Sequence, residues 1–157
     1  MKTKPVPDGF HAVTPYLTVK DAAKAIDFYK RAFGAQERFR MPTPDGKIGH
    51  SELQIRDSIV MLADEFPDCA GSQSPDTLGG SPVGFALYVD NVDQAFKRAV
   101  DAGATVKDAV EDKFWGDRSG SVIDPFGHKW MLLTHVEDVA PDEMKNRMEK
   151  MFAHATT

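Results

Sequence analysis

The sequence predicts an α+β fold made from two repeats of one β-α-β-β-β module. Three observations carry this. The chain has 157 residues, enough for one domain built from two small halves. A stretch rich in Pro, Gly and Ser divides it near the middle. The two sides of that stretch also repeat each other. Leu17-Thr18-Val19 before Asp21 matches Leu87-Tyr88-Val89 before Asn91, Ala25-Ile26 matches Ala95-Phe96, and Gly34-Ala35 matches Gly103-Ala104 after a single-residue gap. Each copy is too small to bury its sheet alone, so residues 1–157 are expected to form one domain. Within it the first module spans 10–66, a flexible linker 67–82, the second module 83–136 and a C-terminal helix 141–153.

Residues 1–9 hold two prolines and a glycine and read as an extended arm. Residues 14–19 have strand composition, with Pro15 marking an irregular or edge start. Asp21 caps a helix over 22–33, where Ala25, Ile26, Tyr29 and Phe33 fall at helical spacing and Gly34 stops it. A strand at 36–41 runs into the turn Pro42-Thr43-Pro44-Asp45-Gly46, and strands at 50–56 and 59–64 meet at Asp57-Ser58. After the linker come a strand at 83–89 and a helix over 92–102 that Asn91 caps and Gly103 stops. Strands at 117–123 and 129–135 then flank Asp124-Pro125-Phe126-Gly127. In the last helix Pro141 suits the first turn. Its Met144, Met148, Met151 and Phe152 share one face, a stripe expected to pack on a sheet edge or a second subunit.

Charge and cysteine usage narrow the function. With 19 basic against 24 acidic residues the formal charge is −5, which argues against a nucleic-acid groove and against electrostatic recruitment to a membrane. Cys69 is the single cysteine, so an internal disulfide and a cysteine-rich zinc site are both excluded. It sits in the linker with no basic neighbour, and a nucleophilic role is not expected. No apolar run follows Lys2 and Lys4, and none reaches the ~20 residues of a membrane span, so a cytoplasmic protein is expected. A Gly-x-Ser-x-Gly elbow, a phosphate loop and a dinucleotide fingerprint are all missing.

Two stretches, Val19-Lys20-Asp21-Ala22-Ala23-Lys24-Ala25-Ile26-Asp27-Phe28-Tyr29 and Asp124-Pro125-Phe126-Gly127-His128-Lys129-Trp130, together with the paired modules, resemble the vicinal oxygen chelate superfamily of glyoxalase I, bleomycin-resistance proteins and extradiol dioxygenases. Gly49-His50-Ser51-Glu52-Leu53 and Trp115-Gly116-Asp117-Arg118 are closer still to its PhnB-like branch. The resemblance runs from about Val13 to His135. It implies a curved eight-stranded mixed sheet around a cleft, with helices outside. It says less about chemistry, because this superfamily hosts many reactions. Metal-using members place His, Gln or Glu in the first and last strand of each module. The positions that match here are Thr14, Met61, Gly84 and Met131. None is a competent ligand for a hard or borderline divalent cation, so the usual metal site is expected to be absent.

A displaced centre is the alternative. His50, Glu52 and Gln54 alternate with Ser51, Leu53 and Ile55, so they should face the cleft while the apolar set packs on the helix. His50 and Glu52 can serve as a base and its orienter or as two metal ligands, with His11 the evident third. They can equally hydrogen-bond each other in a polar wall. Arg118 can clamp an anion beneath Trp115, or join an ion pair with Asp117 or across strands. Met61 and Met131 would floor an apolar cleft that Tyr16, Tyr88 and Trp115 border. His128 is expected to cap or bond its hairpin, His135 to be structural or to stand at the cleft mouth, and Trp130 to be core.

Two functional classes follow. One is a metal-free binding module, similar to bleomycin-resistance proteins, that holds a small amphipathic or aromatic molecule at Thr14, Tyr16, Gln54, Met61, Tyr88, Trp115, Arg118 and Met131. No cofactor is expected, and a homodimer is, since the C-terminal stripe and the sheet edges want cover. The other is a lyase, isomerase or dioxygenase that uses a displaced divalent metal or the His50–Glu52 pair.

Overall fold

A computed structural model describes residues 3–68 and 72–154, so Cys69 lies outside the described residues. The first module runs β1 (Tyr16–Val19), α1 (Ala22–Phe33), β2 (Gln36–Pro42), β3 (Ile48–Ile55) and β4 (Ser58–Asp64). A short helix α2 (Pro75–Leu78) follows. The second module repeats the order as β5 (Gly84–Tyr88), α3 (Val92–Asp101), β6 (Thr105–Asp112), β7 (Asp117–Ile123) and β8 (Lys129–His135), and α4 (Pro141–His154) ends the chain's described part.

The eight strands form two four-stranded mixed sheets, ordered β1-β4-β3-β2 and β5-β8-β7-β6. In each, the first strand lies parallel to the last and the other pairings are antiparallel. The helices begin where the sequence places them, for a common reason. Asp21 and Asn91 accept from the backbone N–H three residues on, both at 3.0 Å. Each helix start is also tied to the neighbouring last strand. Asp64 accepts from Ala22 N at 2.8 Å and from Ile48 N at 2.7 Å, and the Thr134 hydroxyl accepts from Val92 N at 2.9 Å. Alternation along β3 is as the pattern demands: Ser51, Leu53 and Ile55 are buried under α1, and His50, Glu52 and Gln54 are half-buried on the other face.

The helix-covered faces of both sheets feed one core, in which Leu17, Leu53 and Leu62 meet Val92, Trp130 and Leu132. At the join, the Tyr29 hydroxyl of α1 donates to Asp124 at 2.6 Å, and the Trp130 indole N–H donates to the same oxygen at 2.9 Å. The other oxygen of Asp124 accepts from the backbone N–H of Phe126 and of His128, both at 2.9 Å. Phe33 packs against Trp130 with ring centroids 4.7 Å apart. β1 and β5, the edges at which a continuous sheet would join, share no ladder among the described residues.

Three details depart from the sequence expectation. β1 starts at Tyr16 rather than Thr14, because Pro15 offers no N–H and contributes only its carbonyl, to Met61 N. The linker contains α2, which Ser74 caps, Pro75 opens and Gly79 closes at φ 78°. In α4, Met148, Met151 and Phe152 are exposed rather than packed on a sheet edge of the same chain.

Asp124→Ala strands four donors, three of them buried, and we expect a loss of about 3 kcal/mol or more in urea unfolding. Tyr29→Phe, which removes one donor and leaves three, should cost about 1–2 kcal/mol. A loss below about 1 kcal/mol for Asp124→Ala would mean that the module join does not depend on this carboxylate.

Candidate functional site

Cross-strand register places Tyr16 opposite Met61, Met61 opposite Glu52 and Glu52 opposite Phe39, so four side chains form one row across the uncovered face of the first sheet. His50 lies in the neighbouring row, opposite Met41. The Tyr16 hydroxyl and His50 Nδ1 are 2.9 Å apart, and the Phe39 ring stands 6.1 Å from the His50 ring. His50 Nε2 and the Glu52 carboxylate are 3.7 Å apart, too far for a hydrogen bond. Tyr16, Phe39 and Met41 are each about half exposed, at 50%, 48% and 51%.

Partial burial pushes the Tyr16 hydroxyl above the usual phenol value, so it keeps its proton near neutrality. When it donates to Nδ1, the neutral imidazole carries its own proton on Nε2, toward Glu52. The arrangement can bind a polar group and pass a proton at a face otherwise made of rings and thioethers. Gln54 turns to the rim, its amide donating to the Arg56 carbonyl at 3.1 Å.

The remaining sequence-predicted residues lie elsewhere. Thr14 sits outside the sheet with its hydroxyl on the His11 carbonyl. Met131 is in the middle of β8, opposite Ala86 and Ser121. Arg118 is engaged by Asp93 at 2.8 Å through two nitrogens and by Asp112 across the strands at 3.0 Å. Trp115 is turned instead to Asp117, donating from its indole at 3.0 Å.

Asp117 gathers a centre of its own. It is 4% exposed and accepts from Trp115, from the Tyr88 hydroxyl at 3.2 Å and from His135 Nδ1 at 2.8 Å. His135 Nε2 meets Asp138 at 2.9 Å, so both ring nitrogens face carboxylates. Burial first, and Asp117 second, push the Tyr88 hydroxyl up. A solvent-open cleft of about 1030 Å³ lies between Tyr88 and His135 on one side and the Arg56-Asp57 turn on the other. The Asp117–His135 contact was legible in the sequence: strands at 117–123 and 129–135 leave the five-residue connection 124–128, and counting outward from it pairs residue 123 with 129 and therefore 117 with 135. Asp93 was not, because α3 reaches Arg118 only through the tertiary fold.

At the metal positions that the family resemblance implies, the donor set is one hydroxyl, two thioethers and a glycine. Thr14 already donates to a carbonyl, and Met61 and Met131 are soft ligands. These residues do not fit a hard or borderline divalent cation. Among the described residues no group of three or more His, Cys, Asp or Glu side chains is arranged to hold a metal, and His11 does not join His50 and Glu52 in one.

Comparison with known proteins agrees with the architecture. Residues 9–132 match the family described as Glyoxalase/Bleomycin resistance protein/Dioxygenase superfamily. An uncharacterized protein of Mycobacterium tuberculosis strain H37Rv is 51% identical over 139 residues, covering 87% of this chain and 82% of that protein. Among solved structures, TioX from Micromonospora sp. ML1 superposes with a TM-score of 0.62 at 29% identity, covering 80% of this chain and 99% of its own. An Arabidopsis thaliana gene product superposes at 0.64 with 31% identity, covering 78% and 98%.

The hydrogen bonds to Asp138 and then to Asp117 raise the His135 pKa above its ordinary 6.5. A raised folded-state value stabilises fully below the unfolded value and ceases to do so as pH rises through the shifted one. The melting-temperature difference between wild type and His135→Asn should therefore be largest below about pH 6.5 and shrink at higher pH. A difference that is flat with pH would show that the ring's charge contributes nothing to the fold.

Proposed function

The chain belongs to the glyoxalase/bleomycin resistance protein/dioxygenase superfamily, and from that premise we propose that it binds a small amphipathic or aromatic molecule on the uncovered face of its first sheet. The observation that carries this reading is the Tyr16–His50 pair at 2.9 Å, set among Phe39, Met41 and Met61 on a face that the chain leaves open. Rings and thioethers supply adaptable contact area, while the hydroxyl, imidazole and Glu52 supply a few directional contacts. The donor set at Thr14, Met61, Gly84 and Met131 supports binding without the superfamily's metal.

Homodimerisation belongs to the same proposal. Tyr16, Phe39 and Met41 stand about half exposed, at 48–51%, on the uncovered face of the first sheet, apolar surface that a second copy can cover. A second copy closing over this face would turn an open sheet into a cleft. The PhnB-like affiliation rests on Gly49–Leu53 and Trp115–Arg118. No helix among the described residues is long and apolar enough to cross a membrane. A cytoplasmic place is part of the proposal, supported by the charged and acidic composition.

A second reading is favoured by two distances. With Nδ1 2.9 Å from the Tyr16 hydroxyl and Nε2 3.7 Å from Glu52, His50 can take the Tyr16 proton as that hydroxyl takes one from a bound substrate, while Glu52 steadies the resulting imidazolium, as a lyase or isomerase requires. Turnover that is lost in Glu52→Gln while binding persists would select it.

Titration with anilinonaphthalene sulfonate, an amphipathic aromatic probe, should saturate, and Tyr16→Ala and His50→Ala should each weaken it about fivefold or more. Unchanged affinity in both variants would overturn the placement. Mass spectrometry after incubation with zinc, nickel, manganese and iron(II), then desalting, should find far less than one ion per chain. About one retained ion would overturn the metal-free reading. Sedimentation should give twice the 17.3 kDa chain mass.

A further inference from the structure

We propose that the protein carries a second small-molecule site, an uncharged cavity at the junction of the modules that takes a neutral one- or two-ring aromatic compound bearing a hydroxyl or N–H donor. The cavity has a volume of about 300 Å³ and is bordered by Tyr16 and Thr18 of β1, Leu78 of α2, Val83, Phe85 of β5, and His128. Ligand pockets run from roughly 300 to 1,000 Å³, so this one suits a ring system and not a nucleotide-sized molecule. Tyr16 borders both sites, while His50 and Glu52 do not border this cavity, so the two share one wall and differ in the rest of their lining.

His128 defines the chemistry. The residue is 7% exposed, and its Nε2 lies 3.3 Å from the Thr18 carbonyl oxygen. A carbonyl only accepts, so the neutral ring carries its proton on Nε2 and leaves Nδ1 as a bare acceptor. Nδ1 has no hydrogen-bond partner among the described residues, yet no buried side-chain nitrogen or oxygen there is sealed off without a partner. Nδ1 is therefore open to adjoining space, and His128 borders this cavity. A donor on the ligand would complete it. The Phe85 ring, 6.1 Å from the imidazole, supplies an aromatic wall. Among the described residues no Asp, Glu, Lys or Arg borders the space, so a charged ligand would lose its hydration with nothing there to replace it.

The walls are held in place before any ligand arrives. Ser74 and Thr77 both donate to the Glu65 carboxylate, at 2.6 and 2.8 Å, which fixes α2 against the end of the first sheet. Pro75 packs so closely on Gly127 that a Cβ there would lie 2.7 Å from the proline ring. A preformed cavity spares its ligand the cost of ordering the loop.

The experiment compares p-cresol with p-xylene, which have the same shape but carry a hydroxyl and a methyl, by calorimetry on the full chain. We expect p-cresol to bind about tenfold more tightly, because p-xylene leaves the Nδ1 acceptor unmatched. Val83→Trp, which fills the cavity from an exposed position, should abolish that selectivity without lowering the melting temperature. Equal affinities, no binding of either probe, or selectivity that survives Val83→Trp would each overturn the site. Should the variant misfold, the nitrogen resonance of His128 Nδ1 in wild type decides: it shifts on adding p-cresol if the contact forms, and a fixed resonance overturns it. Anilinonaphthalene sulfonate is an anion that this cavity excludes, so its titration fails or succeeds independently and reports on the open face alone.

Discussion

The architecture turns on one buried carboxylate. Asp124 sits at the Asp-Pro-Phe-Gly turn of the second module, 3% exposed, and collects a hydroxyl from the first module, an indole from β8 and two backbone donors from its own turn. A carboxylate out of water is costly unless its lone pairs are filled, and here four donors fill them. The same contacts prescribe geometry. Tyr29 can reach Asp124 only if α1 lies against the end of β8, which in turn brings Phe33 onto Trp130. Burial and Asp124 hold the Tyr29 hydroxyl well above the ordinary phenol value, so the bond keeps its proton across the physiological range.

Because the modules meet at this join, their helix-covered faces share one core and their uncovered faces lie outside it. That constraint sorts the candidate residues. Tyr16, His50, Glu52 and Met61 stay together because register across β1, β4 and β3 puts them in adjacent rows. Tyr88, Trp115 and His135 gather instead on Asp117. Arg118 has filled its fork with Asp93 and Asp112, which places its charge in the frame that holds β7 to α3 and β6.

What the sequence disclosed follows from the range of the interactions concerned. Local rules were enough for α1 and its caps, and for the alternation that sends Ser51, Leu53 and Ile55 inward and His50 and Glu52 outward. Hairpin counting reaches one step further, to Asp117 and His135. β6 escaped a defined range because its residues are nearly all exposed and its pairing with β7 slips twice, so no apolar period marks it. α2 carried a local signal, Ser74 before Pro75 and Asp76, but in a segment whose glycines and prolines masked it. The module join was not legible at all. Nothing near Tyr29 in the chain announces a partner 95 residues away.

The repeat also explains why the ionisable pair belongs to one copy. Leu62 pairs with Ser51, and its counterpart Leu132 pairs with Gly120. Stepping one residue either way sets His50 and Glu52 against Ser119 and Ser121, which are 1% and 4% exposed. The second copy therefore puts small hydroxyls where the first puts an imidazole and a carboxylate, and its corresponding face is closed at those positions. The row ends differ in the same direction: the residue equivalent to Tyr16 is Ala86, which has no hydroxyl to orient a ring. The two copies differ at three positions on one face, and there the phenol, imidazole and carboxylate belong to the first copy alone. The second copy kept its acid and its histidine at the strand ends, where Asp117 and His135 fasten the start of β7 to the end of β8 and to Asp138 beyond it.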